Sequence, residues 1–253
     1  MRLTTKYPLI VVVIALLSAL VTGVVAYQKS KSELQAAAQV QSLEILESKK
    51  AALGRYLNSI KIDLSLMAAD LTTQDALVNF SDAWAKLGDN PRETLQRLYI
   101  HDSPFPKGEK ETLDDPEDGS VYSEFHNKYH PWMRNFLEQR GYYDIFLIDT
   151  KGNLVYTTYK EADFATNLVT GPWKGSDLGR AFRTTSFNTI PDFQLFFDFK
   201  PYGPSDGAPA SFISTPVFDQ AENFIGVLAI QVSVEEINEI MHASVGMGKT
   251  GRA

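Results

Sequence analysis

Hydrophobic and polar positions follow three regimes along the chain. The first is residues 8–27, PLIVVVIALLSALVTGVVAY, which contain no charge. At about 1.5 Å of rise per residue, a helix of that length covers roughly the 30 Å hydrocarbon layer of a bilayer. Arg2 and Lys6 precede the run, and Tyr7 and Tyr27 mark its two ends, where interfacial aromatics are expected. A cleavable secretory signal has a shorter apolar region of about 7–15 residues, so the segment reads as an uncleaved signal-anchor. The small residues Ala19, Gly23 and Ala26 keep cleavage as its rival. Lys29 and Lys31 balance Arg2 and Lys6, so orientation rests on the short tail and the long acidic remainder. Residues 1–7 are expected in the cytoplasm and 28–253 outside.

The second regime is helical. Residues 29–71 hold no proline and a single glycine, Gly54, and Leu53, Leu57, Ile60, Leu64, Met67 and Leu71 recur at spacings of 4, 3, 4, 3 and 4. That is the heptad rhythm of a packed seam. It predicts a stalk helix that covers a following domain, pairs with the same helix of a second subunit as a homodimer, or does both. Thr72-Thr73-Gln74-Asp75 offers a capping box for a second helix ending near Gly88. Asn90 and Pro91 start a third, running to about Leu98. Residues 101–119 read as loop, with six carboxylates between Glu109 and Asp118. These lack the alternating ligand spacing of a calcium loop. A further helix is expected over residues 122–139.

From Tyr143 the period changes to that of strands. YDIFLID (143–149) and LVYTTY (154–159) flank Thr150-Lys151-Gly152-Asn153 and predict a hairpin. A short helix near residues 176–182 follows. FQLFFDFK (193–200), ASFISTPV (210–217) and FIGVLAIQV (224–232) supply three more strands, and Ser233 caps a last helix over residues 234–243. The predicted class is α+β: a transmembrane helix, a long stalk helix, and an antiparallel five-stranded sheet with flanking helices. The expected divisions are 1–7 tail, 8–27 span, 28–88 stalk and following helix, 89–245 sheet domain and 246–253 connector.

Composition removes several functions. The chain carries 24 Lys plus Arg against 31 Asp plus Glu, a formal charge of −7, without a basic cluster. That argues against nucleic-acid binding, which rests on neutralising phosphates. The absence of cysteine excludes disulfides, thiolate metal sites and a Cys nucleophile. Gly203-Pro204-Ser205-Asp206-Gly207 has the spacing of a hydrolase nucleophile elbow, yet Pro209 and a strand follow where that motif needs a helix. Gly248-Lys249-Thr250 lacks the leading glycine of a phosphate loop. His126 and His130 are four apart but lack the Glu of a zinc protease motif and a third ligand. No catalytic residue, metal or cofactor is expected.

The strings Tyr142-Tyr143-Asp144-Ile145-Phe146-Leu147-Ile148-Asp149 and Lys160-Glu161-Ala162-Asp163-Phe164-Ala165-Thr166-Asn167-Leu168 resemble a recurring block of bacterial receptor ectodomains. So do Asp198-Phe199-Lys200-Pro201-Tyr202-Gly203-Pro204-Ser205, the stretch PASFISTP from Pro209, and upstream Tyr99-Ile100, Pro106-Lys107-Gly108 and His130-Pro131-Trp132. From Leu34 onward the chain resembles the Cache domains, periplasmic sensor modules with PAS-like five-stranded sheets. The resemblance implies a single-pass protein of the bacterial inner membrane and a small-molecule ligand. In relatives the module feeds a methyl-accepting chemotaxis, histidine kinase or cyclase output through a HAMP linker. Here the chain stops after Met247-Gly248-Lys249-Thr250-Gly251, so a truncated receptor is expected.

A pocket of this kind is an apolar cleft with a few convergent polar groups. In FQLFFDFK, Asp198 shares one face with Gln194, Phe196 and Lys200 and would accept from a cationic ligand group. Trp132 and Arg134 would stack on and clamp a carboxylate. Tyr143, Tyr156 and Tyr202 join apolar area to a hydroxyl. Lys160 and Asp163 sit on a connecting loop, where binding groups concentrate. Each has an ordinary structural alternative, as packing aromatic or surface charge. Amino-acid-binding relatives place Tyr, Arg, Trp and Tyr closely before the first strand, whereas this chain shows Trp132-Met133-Arg134. The expected function is ligand sensing; the rivals are a ligand-free dimerisation module and an extracellular hydrolase.

Overall fold

A computed structural model describes residues 3–188 and 190–243. The expected connector at 246–253 lies outside the described residues. Six α-helices and one sheet form among them: α1 (Leu3–Ala69), α2 (Leu71–Lys86), α3 (Pro91–Gln96), α4 (Val121–Arg140), β1 (Asp144–Asp149), β2 (Leu154–Thr157), α5 (Asp177–Ser186), β3 (Leu195–Pro201), β4 (Pro209–Phe218), β5 (Phe224–Val232) and α6 (Val234–His242). Arg55–Ile240 form one compact unit, and the residues up to Gly54 belong to another. Within α1, the stretch from Ile10 is long and apolar enough to cross a membrane, with mean hydropathy 2.7 in its best window.

The helix boundaries have local causes. Asp70 stops α1 and caps α2, its carboxylate accepting from the backbone N–H of Thr72 at 2.8 Å and Thr73 at 3.3 Å. The cap therefore lies two residues before the expected capping box, because a carboxylate at 70 already satisfies the first donors of the helix. Ser120 caps α4, and Gly141, at φ +66°, ends it in a left-handed turn. Helix α3 is shorter than expected, since a π-helical turn, Arg97–His101, takes over from it.

All strand pairs are antiparallel, in the order β2-β1-β5-β4-β3. The fold is the α+β, PAS-like arrangement expected. Alternation along the strands divides the core. Ile145, Leu147, Leu228 and Ile230 pack with Ile60, Leu64, Met67, Phe80 and Met133 from α1, α2 and α4. Phe146, Ile148, Val227 and Ala229 meet Leu178 and Phe182 of α5 on the other face. The heptad positions Ile60, Leu64 and Met67 thus cover the sheet domain, whereas Leu71 lies on α2 and is exposed.

Candidate ligand-binding site

A recess of about 800 Å³ opens at the end of the sheet where β1 begins, β2 ends and β3 turns into β4. Six segments line it: α3 with its π-turn, the loop at Lys107, the residue before β1 at Tyr143, the stretch after β2 from Tyr159, the turn at Trp173, and the β3–β4 loop at Ser205. Its walls are aromatic. Tyr143 and Tyr159 stack with ring centres 5.1 Å apart, and Trp173 donates its indole N–H to the Ala162 carbonyl at 3.2 Å. Gly203 is required opposite that ring, because a Cβ there would come within 2.6 Å of it.

Glu161 presents the central acceptor. The Tyr143 hydroxyl donates to one carboxylate oxygen at 2.7 Å and Ser205 Oγ to the other at 2.6 Å. The residue that mimicked a hydrolase nucleophile therefore spends its proton orienting a carboxylate. The loop bearing Glu161 is fixed from outside by Gln96, whose amide donates to Phe164 O at 2.7 Å and Ala162 O at 3.3 Å. Arg92 and His101 line the rim and are solvent-exposed, and neither forms an ion pair among the described residues. Lys107 meets Asp206 at 2.5 Å, joining two loops of the rim; both side chains are exposed, so the pair contributes at most about 1 kcal/mol.

Directly behind the recess lies a buried polar layer. Lys160 is 1% exposed, with φ +57°, a conformation uncommon for a residue with a Cβ. Its ammonium donates to Thr157 O at 2.6 Å and Thr158 O at 3.2 Å, and sits 4.8 Å from the centre of the Tyr156 ring. Burial lowers its pKa to about 7, against a smaller upward pull from Asp144 and Glu111. Asp163 accepts from the Tyr202 hydroxyl at 2.6 Å, while its other oxygen has no donor among the described residues. Burial raises its pKa to about 7, and the neighbouring Glu161 adds to the rise. Asp144 accepts three backbone N–H bonds on one oxygen and none on the other; burial again pushes it up.

His126 and His130 stack inside the domain with ring centres 4.2 Å apart. Burial holds both well below the usual histidine range, so they are neutral near pH 7. His130 Nε2 then donates to the Glu111 carbonyl at 2.6 Å and Nδ1 accepts from the Tyr156 hydroxyl at 2.7 Å. Among the described residues no group of three His, Asp or Glu could hold a metal ion.

Of the residues singled out from sequence, Tyr143 and Lys160 line the recess, and Tyr156, Asp163 and Tyr202 form the layer behind it. Three lie elsewhere. Asp198 is exposed on edge strand β3 and, among the described residues, accepts only from its neighbour Phe199 N–H. On that face of FQLFFDFK, Phe196 and Asp198 are exposed, while Gln194 donates to Lys61 O at 2.7 Å on α1 and Lys200 pairs with Asp177 at 3.6 Å. Trp132 stacks on Phe136 along α4, and Arg134 is spent on Asp114 at 2.8 Å and Glu111 O at 2.6 Å. Arg92, His101, Lys107, Glu161, Trp173 and Ser205 were missed. Lys107, Glu161 and Ser205 stood inside the receptor-like strings, which was the available signal; Arg92 and His101 carried none.

The fold is an α+β domain with a PAS-like five-stranded sheet and a recess at one end of it, preceded in sequence by a helix long and apolar enough to cross a membrane. No family model and no curated protein matches the chain. Among solved structures it is similar to the sensor domain of the V. cholerae histidine kinase DctB, at 16% identity and TM-score 0.35, over 67% of this chain and 60% of that one. An extracellular ligand binding receptor from Desulfohalobium retbaense is 15% identical with TM-score 0.35, over 66% of this chain and 26% of that one. The ligand-binding domain of the Pseudomonas aeruginosa amino acid chemoreceptor PctC, in complex with GABA, is 13% identical with TM-score 0.32, over 74% and 67%. The chain spans less than two thirds of the first two.

Proposed function

We propose that the chain is the extracytoplasmic ligand-binding module of a membrane-anchored signal transducer, with residues 8–27 as the anchor and the recess at Glu161 as the ligand site. The observation that carries this is the recess itself: aromatic side chains in its wall, an acceptor held in place by two hydroxyls, and rim groups Arg92 and His101 that form no ion pair among the described residues. Such a site suits a small polar ligand with an anionic group facing Arg92 and His101 and a hydrogen-bond donor facing Glu161. Binding signals only if it favours one arrangement of the long helix over another. The outputs consistent with the sequence are chemotaxis, kinase or cyclase domains, and the homodimer through α1 belongs to the same reading.

Thermal-shift screening of the full chain in detergent against amino acids, organic acids, amines and purines tests it. A true ligand at one hundred times its Kd stabilises by about 2.7 kcal/mol. For a domain of this size that is a rise in Tm of roughly 5–11 °C. The rise should vanish in Glu161→Gln or Arg92→Ala and persist in Asp198→Ala. A melting temperature indifferent to the whole panel would favour the ligand-free dimerisation module.

A further inference from the structure

Both helices by which the chain enters and leaves the sheet domain meet one short turn, and that turn adjoins the recess. At the end of α4, Arg140 holds Asp63 of α1 through two donors, its Nε at 2.6 Å, and the Tyr142 hydroxyl donates to the same carboxylate. Asp63 is 2% exposed and Arg140 44% exposed, so α1 is tied here by a pair with one partner buried and the other reaching solvent. Gly141, between these two residues, faces α6 so closely that a Cβ on it would lie 2.6 Å from Glu236 Oε1. The next residue after Tyr142 is Tyr143, whose hydroxyl holds Glu161 in the recess at 2.7 Å.

We infer that Gly141-Tyr142-Tyr143 is the joint through which occupancy of the recess reaches α1 and α6. This rests on the ligand-binding reading of the recess. The peptide group shared by the two tyrosines is held by Tyr143 N–H, which donates to Gln231 O at 3.0 Å, and the Gly141–Tyr142 peptide before it by Tyr142 N–H, which donates to Leu137 O at 3.2 Å. A ligand that draws on Glu161 changes what the Tyr143 hydroxyl can hold. The ring then reorients against the stacked Tyr159, and the anchored peptide passes the movement to the Tyr142 side chain and its grip on Asp63. Tyr142 and Tyr143 are positioning residues in this scheme: one senses the recess, the other sets α1. Coupling through packed networks of this kind changes a local equilibrium by about two- to thirtyfold.

Amide hydrogen exchange on the full chain in detergent tests the joint without needing the ligand. Tyr143→Phe removes one hydroxyl at the recess. It should change exchange of α1 residues 60–67 and α6 residues 234–240 by at least about twofold, the lower bound of such coupling. In a Tyr142→Phe background the effect on α1 should disappear. Glu161→Gln, a second perturbation at the recess, should reproduce the pattern, and Asp63→Asn replaces Tyr142→Phe if that variant does not fold. No change in α1, or an equal change in both backgrounds, overturns the joint. Coupled exchange with no stabilising compound would instead leave the joint standing and remove the ligand-binding reading. Stabilising compounds without coupled exchange would do the reverse.

Discussion

Replacing Asp163 by asparagine should change how stability depends on pH, in a direction fixed by burial. In the folded protein the carboxyl titrates near 7, because it is fully buried beside Glu161 and only one of its oxygens receives a donor. Unfolded, it titrates near the ordinary value of about 4. Between those values the native state holds a proton that the unfolded state has lost, so stability falls as pH rises, by up to about 1.4 kcal/mol per pH unit. The contribution is fully present below about pH 4 and gone above about 7. In Asp163→Asn the amide oxygen still accepts from Tyr202 but the side chain cannot titrate, so the variant lacks this decline. Relative to wild type it should gain about 2 kcal/mol between about pH 5 and 7.5, roughly 4–8 °C in Tm, after allowing for relaxation around the carboxyl.

Other buried groups slope differently. His126 and His130, held low, add stability as pH rises toward about 6.5, whereas Asp144 and Glu111, held high, lose it. The histidines and Glu111 contribute alike in both proteins, whereas Asp144 is raised by burial and then by Asp163 itself, so the difference between variant and wild type reads Asp163 together with its effect on Asp144. Urea denaturation at half-unit pH intervals from about 4.5 to 8 reads it directly. A difference that stays flat across that range would mean Asp163 is ionised throughout, and the account of the polar layer would be wrong.

Lys160→Met should show the complementary window. The lysine titrates near 7 when folded and near 10.5 when unfolded, so wild-type stability gains from its deprotonation as pH rises from about 7 to 10, and the variant, which lacks that gain, should lose ground over the same interval in thermal melts. Gly203→Ala places a methyl group against the Trp173 ring; a cost of about 1–3 kcal/mol and a shifted tryptophan emission are expected. Phe80→Ala removes a fully buried ring packed 5.1 Å from both Tyr122 and Tyr156, and should cost about 3–5 kcal/mol by chemical denaturation.

The order of elements was legible in the amino-acid sequence because its causes are local. An uncharged run of bilayer length, a heptad rhythm at Ile60, Leu64 and Met67, two-residue alternation in the strands, and a cap at Ser233 act within a few neighbouring residues. The cap of α2 was misplaced because Asp70 and the Thr72 box compete for the same donors, and only the folded turn shows which side chain reaches them. The recess was beyond such reasoning. Its lining comes from six separated segments that meet only because the strands adopt the order β2-β1-β5-β4-β3, which puts the start of β1 beside the end of β2 and the β3–β4 loop at the same end of the sheet. Period told that Asp198 alternates with Phe197 and Phe199, but not that it is exposed. Convergence and burial are properties of three-dimensional packing, and they alone decided that Lys160 and Glu161 line the recess, that Asp163 is buried outside its lining, and that Arg134 is held elsewhere.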